Sequence, residues 1–271
     1  MYNLNDHGFQ VFSGIFQPSE IEEMRNKIQE AFQRLSSQDL ILKNKSQHFN
    51  FQSMVPDVIQ NELKQFKYII FDERVLDCVR KLIGSDIVYF QDSTIQIGEG
   101  LTGYHKDNKT DNDPNHSDWK SNYDVIRMGV YFQNVKDFSG GINIKLGSHN
   151  HADYHSGKGI NVPLETGDIV FWKLTTTHSG NAKRLKFFPE ISLLGRVQRM
   201  LPEYFFIPAE MQRMALFATY GKPGVHLDSF INYFKSKSDT ATRVNSSHCT
   251  DEARSLANSN GVSLMDVLQV N

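Results

Sequence analysis

The stretch "GDIVFWKLTTTHSGN", residues 167–181, contains the features on which the fold assignment rests. A turn, "ETGD" at residues 165–168, leads into the apolar run Ile169–Trp172, which is rich in β-branched and aromatic residues. Such a run between turn residues predicts a buried β-strand. His178 follows near the end of this strand and becomes a candidate metal ligand if partners for it exist elsewhere in the chain.

Similar strand-like runs lie on both sides of this stretch, between residues 86 and 220. They are "DIVYFQDSTIQIG", "YDVIRMGVYFQNV", "GINIKLGS" and "RMALFATYG". In "GINIKLG", Ile142 and Ile144 alternate with Asn143 and Lys145, which predicts a half-buried strand. Short strands without helices between them favour an antiparallel sandwich or barrel over a parallel sheet.

Helical patterns flank this β-rich region. "QPSEIEEMRNKIQEAFQRL" (residues 17–35) has apolar residues at steps of three and four, and Ser19 with Glu22 fits a capping box. In "DERVLDCVRKLIG", Asp72 is the expected N-cap and Gly84 the expected end. Helices are also predicted in "HLDSFINYFKSK", "DEARSLAN" and "SLMDVLQ".

We therefore predict one domain over residues 1–271, mainly β with flanking helices. Residues 1–85 form an N-terminal helical support, residues 86–221 a β-core interrupted by an insertion at 183–212, and residues 222–271 C-terminal helices.

The composition excludes several classes of protein. The chain has 271 residues, a net charge of -2 and a pI near 6.5, so its overall charge favours neither nucleic acid nor an anionic membrane as a partner. Its two cysteines are far apart, which argues against a zinc ribbon or a disulfide scaffold and fits a reducing compartment. The N-terminus does not have the pattern of a signal peptide, and no apolar window is long enough to span a bilayer. We expect a cytoplasmic protein.

The stretch "GYHKDN", residues 103–108, supplies the partners for His178. His105 and Asp107 are two residues apart, so on an extended segment their side chains point the same way while Lys106 points away. Two imidazoles and one carboxylate on one face of a metal are the ligand set of non-haem Fe(II) oxygenases. We predict a metal site made of His105, Asp107 and His178.

Four blocks in order resemble the phytanoyl-CoA dioxygenase-like (PhyH) family of Fe(II)/2-oxoglutarate oxygenases. They are "GYHKDN", "GVYFQNVKDFSGGINIKLGSH", "GDIVFWKLTTTHSGN" and "RMALFATYG". The resemblance implies a double-stranded β-helix, that is, a jelly-roll, cupin-like barrel. It also implies Fe(II), 2-oxoglutarate and O2 as cofactor and cosubstrates. The implied reaction is hydroxylation of an unactivated C–H bond in a small molecule, with release of succinate and CO2.

The resemblance also implies an arginine that binds the distal carboxylate of 2-oxoglutarate. Arg184 lies six residues beyond His178, at the start of the insertion, whereas Arg213 lies 35 beyond and opens "RMALFATYG". We favour Arg213, because a guanidinium on that late strand can donate two parallel hydrogen bonds to a carboxylate. Three further residues are expected in the same pocket: Gln91, Ser179 and Asn181.

Asp107 also bears on the type of reaction. Related halogenases have a small residue at this place, so the carboxylate favours a hydroxylase.

Alternatives remain open at this point. "SHNHADYH" offers His149, His151 and His155, which resemble a cupin metal motif and would suit an isomerase or epimerase. A non-catalytic sensor that binds metal and 2-oxoglutarate is a further possibility. The identity of the substrate and the oligomeric state are left undetermined.

Two long stretches have no assigned structure. The polar loop 108–122, with Asn115, His116, Asp118 and Trp119, is expected to line the entrance, which favours a polar substrate. The insertion 183–212 is either a packed excursion or a lid with a basic bias that suits an anionic substrate or a lipid headgroup.

Overall fold

The computed structural model describes residues 2–38, 40–46, 49–54, 69–100, 103–108, 113–119, 122–236 and 250–265. Its strands are β1 (Phe9–Phe12), β2 (Ile41–Ser46), β3 (Phe49–Met54), β4 (Ile87–Glu99), β5 (Ile126–Tyr131), β6 (Gly141–Lys145), β7 (Gly159–Asn161), β8 (Ile169–Lys173), β9 (His178–Ala182), β10 (Met214–Gly221) and β11 (Val262–Met265). Its α-helices are α1 (Leu4–His7), α2 (Pro18–Leu35), α3 (Glu73–Ile83), α4 (Gly195–Met200), α5 (Val225–Ser236) and α6 (Asp251–Ser259).

The strands form two sheets that pack face to face. The large sheet has the order β1-β8-β5-β10-β4-β3-β2, with β11 paired to β4, and the small sheet has the order β7-β6-β9. One apolar cluster contains Trp172 and Phe217 from the large sheet together with Ile142, Ile144 and Ile160 from the small sheet. The predicted fold class, a jelly-roll or double-stranded β-helix with flanking helices, is confirmed.

The other face of the large sheet is covered by helices α2 and α3. Along β5, Ile126, Met128 and Val130 pack in the same cluster as the buried residues of these two helices. The residues that alternate with them include Arg127 and Tyr131, which face the small sheet and line a cavity there. The two-residue period of a strand thus sends alternate side chains to two different cores.

Strand β6 is fully buried, so the prediction of a half-buried strand was wrong. Asn143 is fully buried and donates to Ser179 Oγ at 3.2 Å. The Lys145 ammonium donates to the carbonyls of Tyr154 and His155 at 2.7 and 2.9 Å. Since β6 is the central strand of the small sheet, its polar side chains are covered by neighbouring backbone and satisfied by it.

The predicted ends of helix α3 are confirmed, whereas the predicted start of α2 shifts. Asp72 accepts a hydrogen bond from Arg74 N, and Gly84 follows the last residue of α3. In α2 the capping box consists of Gln17 and Glu20, not of Ser19 and Glu22. Pro18 is the reason: it takes the first helical position, where its missing N–H costs nothing, and this moves the cap to Gln17.

Both terminal segments contribute strands as well as helices. Strands β1, β2 and β3 lie in the segment for which we predicted a helical support, and β1 pairs antiparallel with β8. The prediction of a helix in "SLMDVLQ" was wrong for its described part: Ser263–Met265 belong to β11, which runs parallel to β4. Pairing with an available stretch of β4 outweighs a helical pattern too short to be stable alone. Residues 266–269 lie outside the described residues.

No helix in the described part of the chain is both long enough and apolar enough to cross a bilayer.

Candidate metal centre

His105 and His178 meet because the segment before Asp107 pairs with β9. His105 N donates to His178 O and His178 N donates to His105 O, both at 2.9 Å, in an isolated antiparallel bridge. One ligand atom from each of His105, Asp107 and His178 lies within 4.8 Å of the others. The structure therefore brings together the three predicted metal ligands, which are separated by up to 73 positions in the sequence.

The backbone sets the tautomer of both imidazoles. His105 Nδ1 lies 3.0 Å from Gly103 O, and His178 Nδ1 lies 3.0 Å from Thr176 O. A carbonyl oxygen only accepts, so each Nδ1 carries the proton and each Nε2 keeps its lone pair. A metal-binding histidine needs this arrangement, with one nitrogen anchored and the other nitrogen available as a ligand.

Burial keeps His178 neutral. Desolvation lowers its pKa to about 4, although the neighbouring Asp107 carboxylate opposes this effect. Its Nε2 lies 3.6 Å from Asp107 Oδ2, so the lone pair and the carboxylate face the same point. An imidazole that is unprotonated at neutral pH is ready to bind a cation without first losing a proton.

The Asp107 carboxylate is held in place by two side chains of the large sheet. Trp172 Nε1 donates to Asp107 Oδ2 at 3.3 Å, and Arg127 Nη1 lies 3.9 Å from the same oxygen. On the main chain, Asp107 N donates to Leu174 O at 3.1 Å. These contacts fix the direction of the carboxylate, and supports of this kind tune a metal ligand.

Arg127 was missed by the sequence reasoning. Its Nη1 donates to Asp92 Oδ2 at 2.9 Å, in an ion pair that is largely buried. Burial alone would lower the pKa of Arg127, but Asp92 and then Asp107 outweigh it and raise the pKa above its ordinary value. The sequence does contain an indication that Arg127 pairs with a carboxylate. An arginine inside an apolar strand such as "IRMGVY" is seldom buried without a carboxylate partner.

A cavity of about 100 Å³ opens over the three ligands, between the two sheets. The residues that line it are Phe51, Gln96, Gly100, His105, Asp107, Arg127, Tyr131, Ile142, Trp172, His178, Gly180, Arg213 and Phe217. Apolar and aromatic walls with a few converging polar groups are the usual composition of a small-molecule site.

Arg213 is a buried cation that the described residues leave without a carboxylate. Its Nε donates to Gly140 O at 3.1 Å and its Nη1 to Gly98 O at 3.3 Å. Its guanidinium also lies 5.7 Å from the centre of the Tyr131 ring. A buried charge without a counter-charge is costly, so an anion in the cavity would be strongly favoured next to Arg213.

The structure does not bring Arg184 or Gln91 to this cavity. Arg184 is buried on another side, where its Nη1 donates to Val135 O at 3.4 Å. Gln91 is buried in β4 next to an irregularity in the pairing with β10, and it is Gln96 of the same strand that lines the cavity. Gln91 and Gln96 are five positions apart on β4, an odd number, so the alternation of a strand sends their side chains to opposite faces.

Ser179 also lies away from the cavity. Its hydroxyl accepts from Asn143 on the opposite side of β9, while Gly180 lines the cavity next to His178. Successive residues of a strand point to opposite faces, so the residue after a ligand faces away from the metal. The side chain of Asn181 lies outside the described part of the structure.

Lys106 points away from the ligand pair, as predicted. Its ammonium donates to the carbonyls of Ser148 and Thr175 and lies 5.2 Å from the centre of the Trp119 ring. Burial lowers the pKa of Lys106 to about 7, against the opposing effect of Asp153. The lysine therefore anchors the segment from behind, on the side opposite the cavity.

The competing histidine cluster does not form a metal site. His149 is buried, with Nε2 2.9 Å from Asn5 O, while His151 and His155 are exposed. Among the described residues, the only group of histidine, cysteine and acidic side chains arranged to hold a metal is that of His105, Asp107 and His178. The cupin-like alternative therefore has no geometric support in this part of the chain.

The described part of the polar loop 108–122 packs more tightly than its composition suggests. Trp119 is buried and its Nε1 donates to Asp113 O at 2.7 Å. Burial raises the pKa of Asp118, in opposition to a hydrogen bond of 2.8 Å from Asn108. Asn115 is exposed and His116 partly exposed, and none of these loop residues lines the cavity.

Comparisons with known proteins give similarity at the level of fold. The epimerase SnoN, solved with Fe3+, alpha ketoglutarate and nogalamycin RO, has a TM-score of 0.53 and 16% identity, with 81% of this chain and 80% of that chain covered. The non-heme alpha ketoglutarate dependent carbocyclase SnoK has a TM-score of 0.54 and 16% identity, with 83% and 87% covered. AviO1 from Streptomyces viridochromogenes Tue57 has a TM-score of 0.57 and 12% identity, with 82% and 93% covered.

No protein-family model matches the sequence. No curated protein matches it either.

Proposed function

We propose that this protein is an Fe(II)- and 2-oxoglutarate-dependent dioxygenase that hydroxylates an unactivated C–H bond of a small, polar molecule. One observation carries the proposal: His105, Asp107 and His178 converge in a cavity whose wall contains the buried cation Arg213. Two imidazoles and one carboxylate leave open positions on a metal for a chelating cosubstrate and oxygen. The four blocks of PhyH-like sequence, and the fold shared with SnoN and SnoK, support the same assignment.

The residues present suit Fe(II) and 2-oxoglutarate electrostatically. Asp92 and Asp107 balance Arg127 and Arg213, so these four charges in and beside the cavity sum to zero. A divalent metal and a dicarboxylate added together leave that sum unchanged. A metal alone or a dianion alone would leave an excess charge in a poorly solvated cavity, which is unfavourable.

Each residue has a distinct part in the proposed reaction. His105, Asp107 and His178 would hold Fe(II), and Arg213 would bind the distal carboxylate of 2-oxoglutarate through parallel hydrogen bonds. Trp172 and Arg127 keep the Asp107 carboxylate turned toward the metal. The aromatic walls limit the access of water. When bound, the iron and 2-oxoglutarate supply the oxidising chemistry that no protein side chain can provide.

The test is an anaerobic titration of the protein with Fe(II) and 2-oxoglutarate, followed by the visible charge-transfer absorption of the chelate. Oxygen is then admitted, and succinate is measured with candidate substrates. The proposal predicts the absorption band, and succinate formation that depends on both iron and 2-oxoglutarate. The absence of a band at saturating concentrations would contradict it. A band without succinate for any substrate would indicate the sensor alternative.

A second candidate outcome is epimerisation or ring closure at the same centre. It is favoured by two proteins with this fold, the epimerase SnoN and the carbocyclase SnoK. Product mass separates the possibilities. A hydroxylated product gains one oxygen atom, an epimer has the mass of the substrate, and a product of oxidative ring closure loses two hydrogens.

A further inference from the structure

Exposed apolar side chains are concentrated in one segment of this protein, residues 187–204. Seven large apolar residues are exposed within it: Phe187, Phe188, Ile191, Leu194, Val197, Met200 and Tyr204. The rest of the described chain exposes four, which are Tyr2, Leu42, Met211 and Val225. Isolated exposed apolar residues are normal, whereas a concentration of them marks an interaction surface.

Helix α4 has its polar and apolar faces reversed. The residues it buries are Gly195 and Gln198, and Gln198 Nε2 donates to Leu193 O at 3.0 Å. Val197 and Met200 point outward, and Met200 is 77% exposed. A helix stabilised only by its own domain would bury the valine and the methionine. The described residues leave the outward face of α4 uncovered, so it is available to a partner.

The two ends of the segment lie side by side. Leu185 pairs with Phe206 in an antiparallel bridge, and Lys186 N donates to Phe205 O at 3.0 Å. Glu203–Phe205 form a short 3-10 helix, so the strand-like pairing ends here. Phe187, 80% exposed, and Tyr204, 67% exposed, each lie one residue beyond this contact, so the exposed apolar residues at the two ends of the segment are near each other.

The charge of the segment is opposite in sign to that of the whole chain. Apart from the buried Arg184, residues 183–204 contain four basic residues (Lys183, Lys186, Arg196, Arg199) and two acidic ones (Glu190, Glu203), which gives +2. The chain as a whole has a charge of -2. Lys183 pairs with Glu203, so the remaining charge of +2 is the sum over Lys186, Arg196, Arg199 and Glu190. The net negative charge of the whole chain therefore gives no sign that this segment is basic and apolar.

We propose that residues 186–204 dock the protein on an anionic lipid membrane. The exposed aromatic and aliphatic side chains enter the boundary between headgroups and acyl chains, and Lys186, Arg196 and Arg199 contact anionic headgroups. A second copy of the chain fits this surface less well, because a symmetric contact would place like basic charges against each other.

The surface is attached to the segment that carries His105. The Tyr104 hydroxyl hydrogen-bonds Ser192, and Asn161 Nδ2 donates to Pro189 O and Ile191 O at 2.8 and 2.9 Å. Docking therefore occurs close to the cavity. Vesicle binding depends on the exposed side chains and the charge of the segment, so it can be measured without any oxygenase reaction.

The experiment is co-sedimentation of the full chain with large vesicles of phosphatidylcholine alone, or of phosphatidylcholine mixed with phosphatidylserine, at low and high salt. We expect binding to the mixed vesicles that weakens in high salt. The variant Phe187→Ser/Met200→Ser should bind these vesicles at least ~10-fold less well, because it loses two of the most exposed apolar side chains. The variant Arg196→Ala/Arg199→Ala should bind ~25-fold less well, at about fivefold per basic residue.

Matched controls lie elsewhere on the surface. Val225→Ser removes an exposed apolar residue, and Lys81→Ala removes an exposed basic one, both outside the segment. Neither should change vesicle binding. The proposal is overturned if the wild-type protein stays in the supernatant with both vesicle types, or if the controls reduce binding as much as the segment variants do. Gel filtration of the same variants provides a further check: a dimer that dissociates in Phe187→Ser/Met200→Ser, without vesicle binding by the wild type, would assign the surface to a second copy.

Discussion

Two regions of this molecule reverse the usual distribution of side chains, each in a different way. The cavity between the sheets buries charged groups, and the segment 187–204 exposes apolar ones. Three of the four charged groups in and beside the cavity have an ionic partner nearby, and only Arg213 has none among the described residues. In the segment, seven large apolar side chains face outward. In both regions the described residues leave a group uncompensated, a buried cation in one and exposed apolar side chains in the other.

The difference between the regions lies in what each would lose by mutation. Each charged group of the cavity is positioned by neighbours that depend on it, so a single change affects several contacts. The exposed side chains of the segment make few contacts within the chain, so changes there should leave the fold intact and alter only binding.

Replacing Asp107 with alanine should have the largest effect. The site would keep two imidazoles and lose its only anionic ligand, so we expect iron-dependent succinate formation to fall more than ~1,000-fold, or by more than about 4 kcal/mol of transition-state stabilisation. Succinate release is the measurement. Asp86→Ala, at an exposed position, is the control and should keep wild-type activity. A loss no greater in Asp107→Ala than in the control would contradict the ligand assignment.

Replacing Arg127 with methionine should destabilise the fold. Asp92 and Asp107 would remain buried without their shared cation, and we expect the free energy of unfolding to fall by about 3 kcal/mol. Urea denaturation measures this. Lys27→Met, which removes the exposed ion pair with Glu23, should cost less than ~1 kcal/mol. Equal losses of unfolding free energy in the two variants would show that Arg127 stabilises the fold no more than an exposed ion pair does.

Replacing Arg213 should weaken the binding of 2-oxoglutarate and leave metal binding unchanged. We expect Arg213→Met to raise the dissociation constant by ~10- to 100-fold, or about 1.4–2.7 kcal/mol, because the distal carboxylate loses its cation. The anaerobic titration provides the constant. Arg184→Met tests the arginine nearer to His178 in sequence, and its constant should stay close to that of the wild type. The reverse result would assign the carboxylate to Arg184.

Acid should destabilise the buried histidines. Burial lowers the pKa of His149 to about 4, so the native state keeps it neutral while the unfolded chain protonates it near its ordinary pKa of 6.5. Stability is therefore complete above pH 6.5 and declines as the pH falls toward 4, by about 2 kcal/mol at pH 5. Urea denaturation across this range measures the decline. His149→Gln should lose less stability over the same interval, and parallel curves would argue against this cause.

Polar substitutions in the exposed segment should have the smallest effect on stability. Leu194→Ser and Met200→Ser alter side chains that are 57% and 77% exposed, so we expect each free energy of unfolding to change by less than ~0.5 kcal/mol. Ile144→Ala, between the sheets, should cost about 3 kcal/mol by the same measurement. A large loss in either serine variant would show that the segment packs on the domain and would remove the contrast between the regions.

The strands and the helices of the fold could be predicted in most of their positions. The strand-like runs correspond to β4, β5, β6, β8 and β10, and the helical patterns to α2, α3, α5 and α6. Short elements such as β1 and β11 were missed, because they are formed by pairing with distant strands and not by local preference. The burial of both faces of β6 was missed for the same reason.

The candidate site was predicted only in part. The sequence suggested that His105, Asp107 and His178 belong together, and the structure brings them within reach of one ion. The sequence did not show which carboxylates Arg127 supports, that Trp172 donates to Asp107, or that Gln96 and not Gln91 faces the cavity. Those facts depend on strand register, and a shift of one residue sends a side chain to the opposite face.

What the sequence alone determined is local: the alternation that makes strands, the caps that begin helices, and the two-residue spacing that turns His105 and Asp107 the same way. These follow from backbone geometry over a few residues. What only the tertiary structure decided is which distant groups meet: Arg213 in the cavity, Arg184 outside it, and an apolar surface at residues 187–204 left uncovered. The physical reason is that burial and pairing are set by contacts between segments far apart in the chain, and no local pattern records them.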